Sequence, residues 1–297
     1  MGPEGVPKVT HQEILTFEEI TRFVRLLRRH FELSKVRITG GEPLVRPGVT
    51  KLVEMLAREG VQDLALTTNG QQLSAMAGEL RQAGLQRVNM SLDSLKPETY
   101  RRLTRGGDLQ HSLDGLAAAL HYGFSPVKTN TIVLRGINND ELTDMVRFGL
   151  DRGCEVRFLE LMPIGPAAEC FDDWFVSSAE VLAELARAFD LEPIWAKPGS
   201  SSRNYSAKDK QGRVGIIGLI SSRTAAFCDQ CQRLRLTSTG KLVGCLARPE
   251  GGNIRSLLQN DYDSDSRQLL KLIGQALEFK QKERHFSRTT LMVETGG

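Results

Sequence analysis

The chain has 297 residues, of which 40% are hydrophobic and 25% charged, and a formal net charge of +3. That length supports one large domain, or a domain with an appendage, around a substantial core. So small a positive excess excludes nucleic-acid binding by charge alone, no apolar run approaches the roughly 18 residues of a membrane span, and no secretory signal opens the sequence, so a cytoplasmic location is expected. Any anionic ligand must be met by a local site.

Thr16-Phe17-Glu18-Glu19 is a capping box and predicts a helix whose Ile20, Phe23, Leu26 and Leu27 share one face. Strands are predicted at 35–39, 64–68, 87–91, 127–133 and 155–162, and each of the first four is followed by Gly, Asn, Asp or Ser and then a helical pattern. This alternation predicts βα units around a parallel sheet. Because a helix precedes the first strand, the expected fold is α/β, a partial βα (TIM-like) barrel lacking its first strand, with 35–39 left as an open edge. A second capping box, Ser177-Ser178-Ala179-Glu180, predicts a helix through Val181, Leu182, Leu185 and Phe189. A soft boundary near Phe175 then separates a barrel section, 1–175, from an α+β section, 176–297. In the latter, 197–212 reads as a polar stretch, 214–220 as a strand, 234–246 as a hairpin turning at Ser238-Thr239-Gly240, and 254–280 as helical.

Three of the five cysteines form the pattern Cys228-x2-Cys231-x13-Cys245. A CxxC turn presents two thiolates and a hairpin returns the third. Spacing leaves open a 4Fe-4S cluster with one iron free, a zinc site with a distant fourth ligand, and unligated thiols. Cys154 reads as a packed core cysteine and Cys170 as a loop thiol. Thr39-Gly40-Gly41-Glu42-Pro43-Leu44 directly follows a strand. Its glycines let the backbone approach a ligand, and Glu42 offers a carboxylate to an amine or ribose hydroxyl; plain turn chemistry is the alternative. Thr67-Thr68-Asn69-Gly70 and Ser91-Leu92-Asp93 occupy the same place on the next two strands, so three polar strand ends face one mouth. Arg37 and Lys128 alternate with apolar neighbours and point either into the barrel, where an anion would compensate them, or out to water. Arg233 and Arg235, beside the cysteines, are further candidate phosphate ligands.

These residues together resemble the GTP 3',8-cyclases (MoaA), radical-SAM enzymes that begin molybdenum cofactor biosynthesis. The resemblance runs from Pro3-Glu4-Gly5-Val6 to the terminal Gly296-Gly297 and is most specific at 37–44, 67–70, 91–93, Arg157-Phe158-Leu159-Glu160-Leu161-Met162 and the Cys228/Cys231/Cys245 block with its Arg-x-Arg. It implies a radical-SAM barrel joined to a section whose 4Fe-4S cluster sits on Cys228, Cys231 and Cys245 and takes the GTP base on its open iron. Arg37, Thr67, Lys128, Arg233 and Arg235 would contact GTP, and Gly41, Ser91 and Met162 S-adenosylmethionine. In the family, reductive cleavage of that cofactor yields a 5'-deoxyadenosyl radical, which takes the ribose C3' hydrogen before C3' bonds to C8. The partners implied are GTP as substrate, a second copy of the chain as a homodimer, and downstream a MoaC-type protein; the Gly-Gly end resembles a tail that reaches the active site. No catalytic residue is assigned.

One departure is large. Family members carry Cys-x3-Cys-x2-Cys just before Pro-Glu-Gly-Val, whereas this chain has no cysteine before Cys154. The N-terminal 4Fe-4S cluster of the family is therefore not supported, the strand and a substrate arginine that precede it are also missing, and the chain is expected to be inactive in cyclisation. The expected explanation is a start recorded too late. The alternative functions are a catalytically silent GTP-binding iron-sulfur paralogue and a structural zinc-binding protein.

Overall fold

Thr16 caps the first helix, α1 (Phe17–His30): its hydroxyl accepts Glu19 N at 3.1 Å, and the Glu19 carboxylate accepts Thr16 N at 2.7 Å. Two amides that a helix start leaves without partners are thereby satisfied. The computed structural model describes residues 9–195, 199–226, 228, 231–248, 250–259, 265–278 and 280. The Pro-Glu-Gly-Val stretch and the Gly-Gly end of the sequence lie outside them.

After α1 come β1 (Lys35–Ile38), α2 (Val49–Arg58), β2 (Asp63–Thr68), α3 (Leu73–Gln82) and β3 (Arg87–Ser91). Then follow α4 (Pro97–Thr104), α5 (Leu109–His121), β4 (Val127–Ile132), α6 (Leu142–Arg152) and β5 (Glu155–Leu159). The five strands pair in sequence order, all parallel. Among the described residues β1 is the end strand of the sheet.

The sheet does not end at Phe175. Past the short α7 (Phe171–Trp174), α8 (Ser178–Leu185) leads to β6 (Asp190–Ile194), β7 (Arg203–Lys208) and β8 (Val214–Ile220). β8 pairs with β5 as a sixth parallel strand, and β7 and β6 add antiparallel, giving an eight-stranded sheet in the order β1-β2-β3-β4-β5-β8-β7-β6. The connection works because α8 buries Val181 and Leu185 among Phe158 of β5 and Ile217 and Leu219 of β8, covering both strands with one helix. The polar stretch 197–212 contains β7, a strand that its composition hides: Arg203, Asn204 and Ser206 owe their extended form to the ladder with β8.

Chain alternation divides the sheet into two faces. Leu64, Leu66, Val88 and Met90 pack with Leu52, Val53, Leu56, Leu80 and Leu116 of the covering helices. The opposite face carries Arg37, Thr67, Arg87, Asn89, Lys128, Asn130 and Arg157 and is left for a cleft. The remainder folds as β9 (Arg235–Leu236), β10 (Leu242–Val243), α9 (Arg255–Gln259) and α10 (Asp265–Glu278). This section docks on α1: Phe23, Leu26 and Leu27 share a core with Leu242, Ile254, Leu257, Leu269, Ile273 and Ala276. Among the described residues no helix is long and apolar enough to cross a membrane.

Leu66 is 0% exposed at the centre of the sheet core. Leu66→Ala is expected to lower unfolding free energy by about 2–5 kcal/mol, read from urea denaturation.

Candidate functional site

The polar face of the sheet and the β9/β10 hairpin enclose a cleft of about 2320 Å3. That is more than twice the roughly 1,000 Å3 of a large small-molecule pocket, so it has room for two ligands. Arg37, Gly41, Thr67, Lys128, Met162, Cys228, Cys231, Arg233, Arg235 and Cys245 all line it. Ser91 is not among the lining residues, although its neighbour in register, Asn130, is.

Two candidates differ from expectation. Glu42 is not a free carboxylate: it accepts Leu44 N at 3.0 Å, Thr68 Oγ1 at 2.7 Å and Asn69 N at 2.7 Å. It clasps the turn after β1 to the turn after β2, because loop amides at adjacent strand ends need acceptors. Lys128 points into the cleft but is not an unpaired cation, since Glu155, its neighbour in register on β5, forms an ion pair with it. Burial lowers the Lys128 pKa, and Glu155 opposes that shift.

The strands also bring in residues that motif reading passed over. Arg87 is held by Asp63, its Nε donating at 2.6 Å. Arg157, 8% exposed, donates from Nη2 to Asn89 Oδ1. Its Nε and the nearby-strand Asn130 Oδ1 have no hydrogen-bond partner, which leaves buried polar capacity facing the cleft. The available signal was period-two placement: Arg87 and Asn89 alternate with Val88 and Met90.

These guanidinium groups act on one another. The Arg37 pKa is lowered to about 10, first by burial and then by Arg233, Arg87 and Arg235. Arg157 is likewise lowered to about 10 by burial, then by Arg37, with Glu155 opposing. Burial also lowers Arg233 and Arg235. Arg37 stands at the open edge where water reaches it, so solvent screens part of this repulsion and the group stays protonated at neutral pH.

The thiols form the facing wall. Cys231 N donates to Cys228 O at 3.1 Å, closing the CxxC turn, and Cys245 follows β10. All three stand outside any disulfide and are partly exposed, and Cys231 and Cys245 both lie within electrostatic reach of Arg235. Among the described residues no three His, Cys, Asp or Glu side chains gather closely enough for a single metal ion. Cys154 is buried in the sheet core, where burial pushes its pKa up to about 11, and Cys170 precedes α7. Neither lines the cleft.

Glu160 joins the barrel to this wall. Its carboxylate accepts Ser178 N at 2.9 Å, Arg223 N at 2.8 Å and Thr224 N at 2.9 Å, along with the Thr224 hydroxyl. Burial raises its pKa, but these donors outweigh burial and leave it below the usual value. They also explain why β5 stops at Leu159 instead of running to 162: the chain turns to put this carboxylate among amides.

The Radical SAM superfamily profile matches residues 3–149, and the Molybdenum Cofactor Synthesis C profile residues 154–286. The GTP 3',8-cyclase of Alkaliphilus metalliredigens is 46% identical over 247 residues, 83% of this chain and 75% of that protein. That of Geobacter sulfurreducens is 42% identical over 264 residues, 87% of this chain and 78% of its own. The chain belongs to the GTP 3',8-cyclase family of radical-SAM proteins. Streptococcus suis SuiB bound to S-adenosylmethionine superposes with a TM-score of 0.57 at 12% identity, covering 91% of this chain and 62% of that one, a likeness of fold alone.

Radical-SAM membership implies a 4Fe-4S cluster and S-adenosylmethionine. The three cleft thiols suit cluster ligation in number and accessibility. The cleft offers no second set of thiols, since Cys154 and Cys170 lie elsewhere, so a second, radical-generating cluster does not fit the cysteines present.

Two outcomes follow from the charges. Tripolyphosphate, by relieving the repulsion among Arg37, Arg157 and Arg233, is expected to stabilise the fold by about 2.7 kcal/mol at a hundredfold excess over its Kd, with a smaller rise in Tm for Arg157→Met. At the end of β3, burial raises Asp93 from 3.8 to about 6 although its carboxylate accepts Ile132 N at 2.9 Å. A raised folded-state pKa contributes stability below pH 3.8 that is lost as pH rises through about 6. Asp93→Asn is therefore expected to have the higher Tm at pH 7 and no advantage at the acid end of that window.

Proposed function

We propose that this cleft binds GTP for 3',8-cyclisation, the first step of molybdenum cofactor biosynthesis, the pathway to which family membership assigns the chain. The observation that carries the reading is the meeting of Arg37, Arg157, Arg233 and Arg235 with Cys228, Cys231 and Cys245 in one cleft. A triphosphate carries charge opposite to that of such a guanidinium cluster, and planar forks match its oxygens.

On this reading Arg37, Arg233 and Arg235 neutralise and orient the triphosphate, while Arg157 supplies the buried N–H that lacks an acceptor. Lys128, partnered by Glu155, adds a tethered cation to the same floor, and Thr67 adds a hydroxyl. Cys228, Cys231 and Cys245 hold a 4Fe-4S cluster, with one iron left for the purine. A cluster spreads its cysteine ligands over separate irons, so its thiols stand further apart than ligands of one zinc. In the family S-adenosylmethionine would be the source of the radical, and Gly41, Ser91 and Met162 are the residues proposed to hold it. A homodimer, a MoaC-type protein acting on the product and a cytoplasmic location complete the proposal.

The test uses anaerobically reconstituted protein. Iron and sulfide are expected in the parent chain and absent after Cys228→Ser, Cys231→Ser and Cys245→Ser together. Calorimetry is expected to show GTP binding that weakens at least tenfold on Arg235→Met, since a charge-assisted hydrogen bond contributes about 1.5–3 kcal/mol. With no thiols for a second cluster, the 297-residue chain is expected to bind GTP without cyclising it. One zinc and no iron, or GTP affinity indifferent to Arg235, would refute the assignment.

A further inference from the structure

The far end of α10 meets the thiol wall at a residue that the proposed function leaves without a role. Lys280, just beyond the helix, donates from Nζ to the carbonyl oxygen of Cys231 and lies 3.7 Å from the Cys231 sulfur, within N–H···S range. Lys280 N donates to Leu277 O at 3.0 Å, which ties the residue to the last turn of the helix.

The helix that delivers it is itself fixed against the second thiol-bearing segment. Leu269, Ile273 and Ala276 are buried with Leu242 of β10 and Phe23 of α1. Gly244, next to Cys245, has no room for a side chain, because a Cβ there would collide with the carbonyl of Ala276. Helix backbone therefore lies directly on the strand leading to Cys245, and the same helix reaches Cys231. One element sets the spacing of two thiols that are fourteen residues apart in sequence.

We propose that Lys280 is a positioning and tuning residue of the Cys228/Cys231/Cys245 centre: it holds the Cys231 segment through the carbonyl and sets a positive charge and an N–H donor beside the sulfur. This rests on the iron-sulfur reading above. Hydrogen bonds to cysteine sulfur and nearby positive charge favour the reduced, more negative form of a cluster and so raise its reduction potential. Lys280 supplies both from outside the cluster's ligand set. A lysine that merely capped a carbonyl would leave the potential unchanged when its charge is removed.

The experiment compares the reconstituted 297-residue chain with Lys280→Met, which removes donor and charge, and Lys280→Arg, which keeps both. Iron and sulfide content and the midpoint potential, from a redox titration followed by electron paramagnetic resonance, are measured for each. The expected result is a more negative midpoint for K280M at parental iron content and a near-parental midpoint for K280R. Loss of iron from K280M that K280R restores also supports the inference. An unchanged midpoint in K280M, or equal loss of iron from both variants, overturns it. A parent chain free of iron and sulfide overturns the cluster reading first, and a loaded parent separates that failure from the failure of Lys280.

Discussion

Burial of guanidinium groups, with their mutual repulsion added to it, sets the electrostatics of this cleft. Arg37, Arg87 and Arg157 rise from the inner face of a sheet, and Arg233 and Arg235 approach from the hairpin opposite; each of Arg37 and Arg157 is depressed to about 10 by burial and by the others. The fold moderates this crowd locally by pairing Arg87 with Asp63 and Lys128 with Glu155. The Nε of buried Arg157 still lacks an acceptor. Like charges brought this close repel, and water at the exposed Arg37 screens part of that repulsion.

Such a cleft needs walls that resist being pushed apart. Three devices supply that resistance. Glu42 ties the first two strand ends together by accepting from Thr68 and Asn69, with a third contact to Leu44 in its own turn. Glu160 gathers the start of α8 and the turn after β8, which leads into the cysteine segment, onto the end of β5. The apolar face of α1, shared with Leu242, Leu269 and Ile273, bolts the C-terminal section to the barrel. Both carboxylates sit at the C-terminal ends of parallel strands, where a barrel presents its loops, and both are spent on shape.

The family assignment and the chemistry meet at this architecture. The cleft of about 2320 Å3, with a cationic floor and a thiol wall, has room for more than one small-molecule ligand. The cysteines divide by place: Cys228, Cys231 and Cys245 face the cleft, while Cys154 is a core residue.

Local signals in the sequence determined much of this. The capping boxes at Thr16 and Ser177 start helices where predicted, because they are reciprocal contacts within four residues. The parallel strands and the CxxC turn were legible from alternation and spacing, β6 was not, and all but one of the residues assigned by the family motifs line the cleft. Tertiary structure alone decided the rest. β7 is a strand only because β8 offers a ladder, and β8 belongs to the barrel sheet only because α8 covers both it and β5. Whether Lys128 would be a lone cation or half of an ion pair depended on Glu155 lying beside it in register, and Glu42 became a clasp because the Asn69 amide came within reach. Periodicity shows that Arg157 alternates with apolar residues, but not that Arg37 and Arg233 stand near it. Those are contacts between segments distant in sequence, set by packing, and no local pattern encodes them.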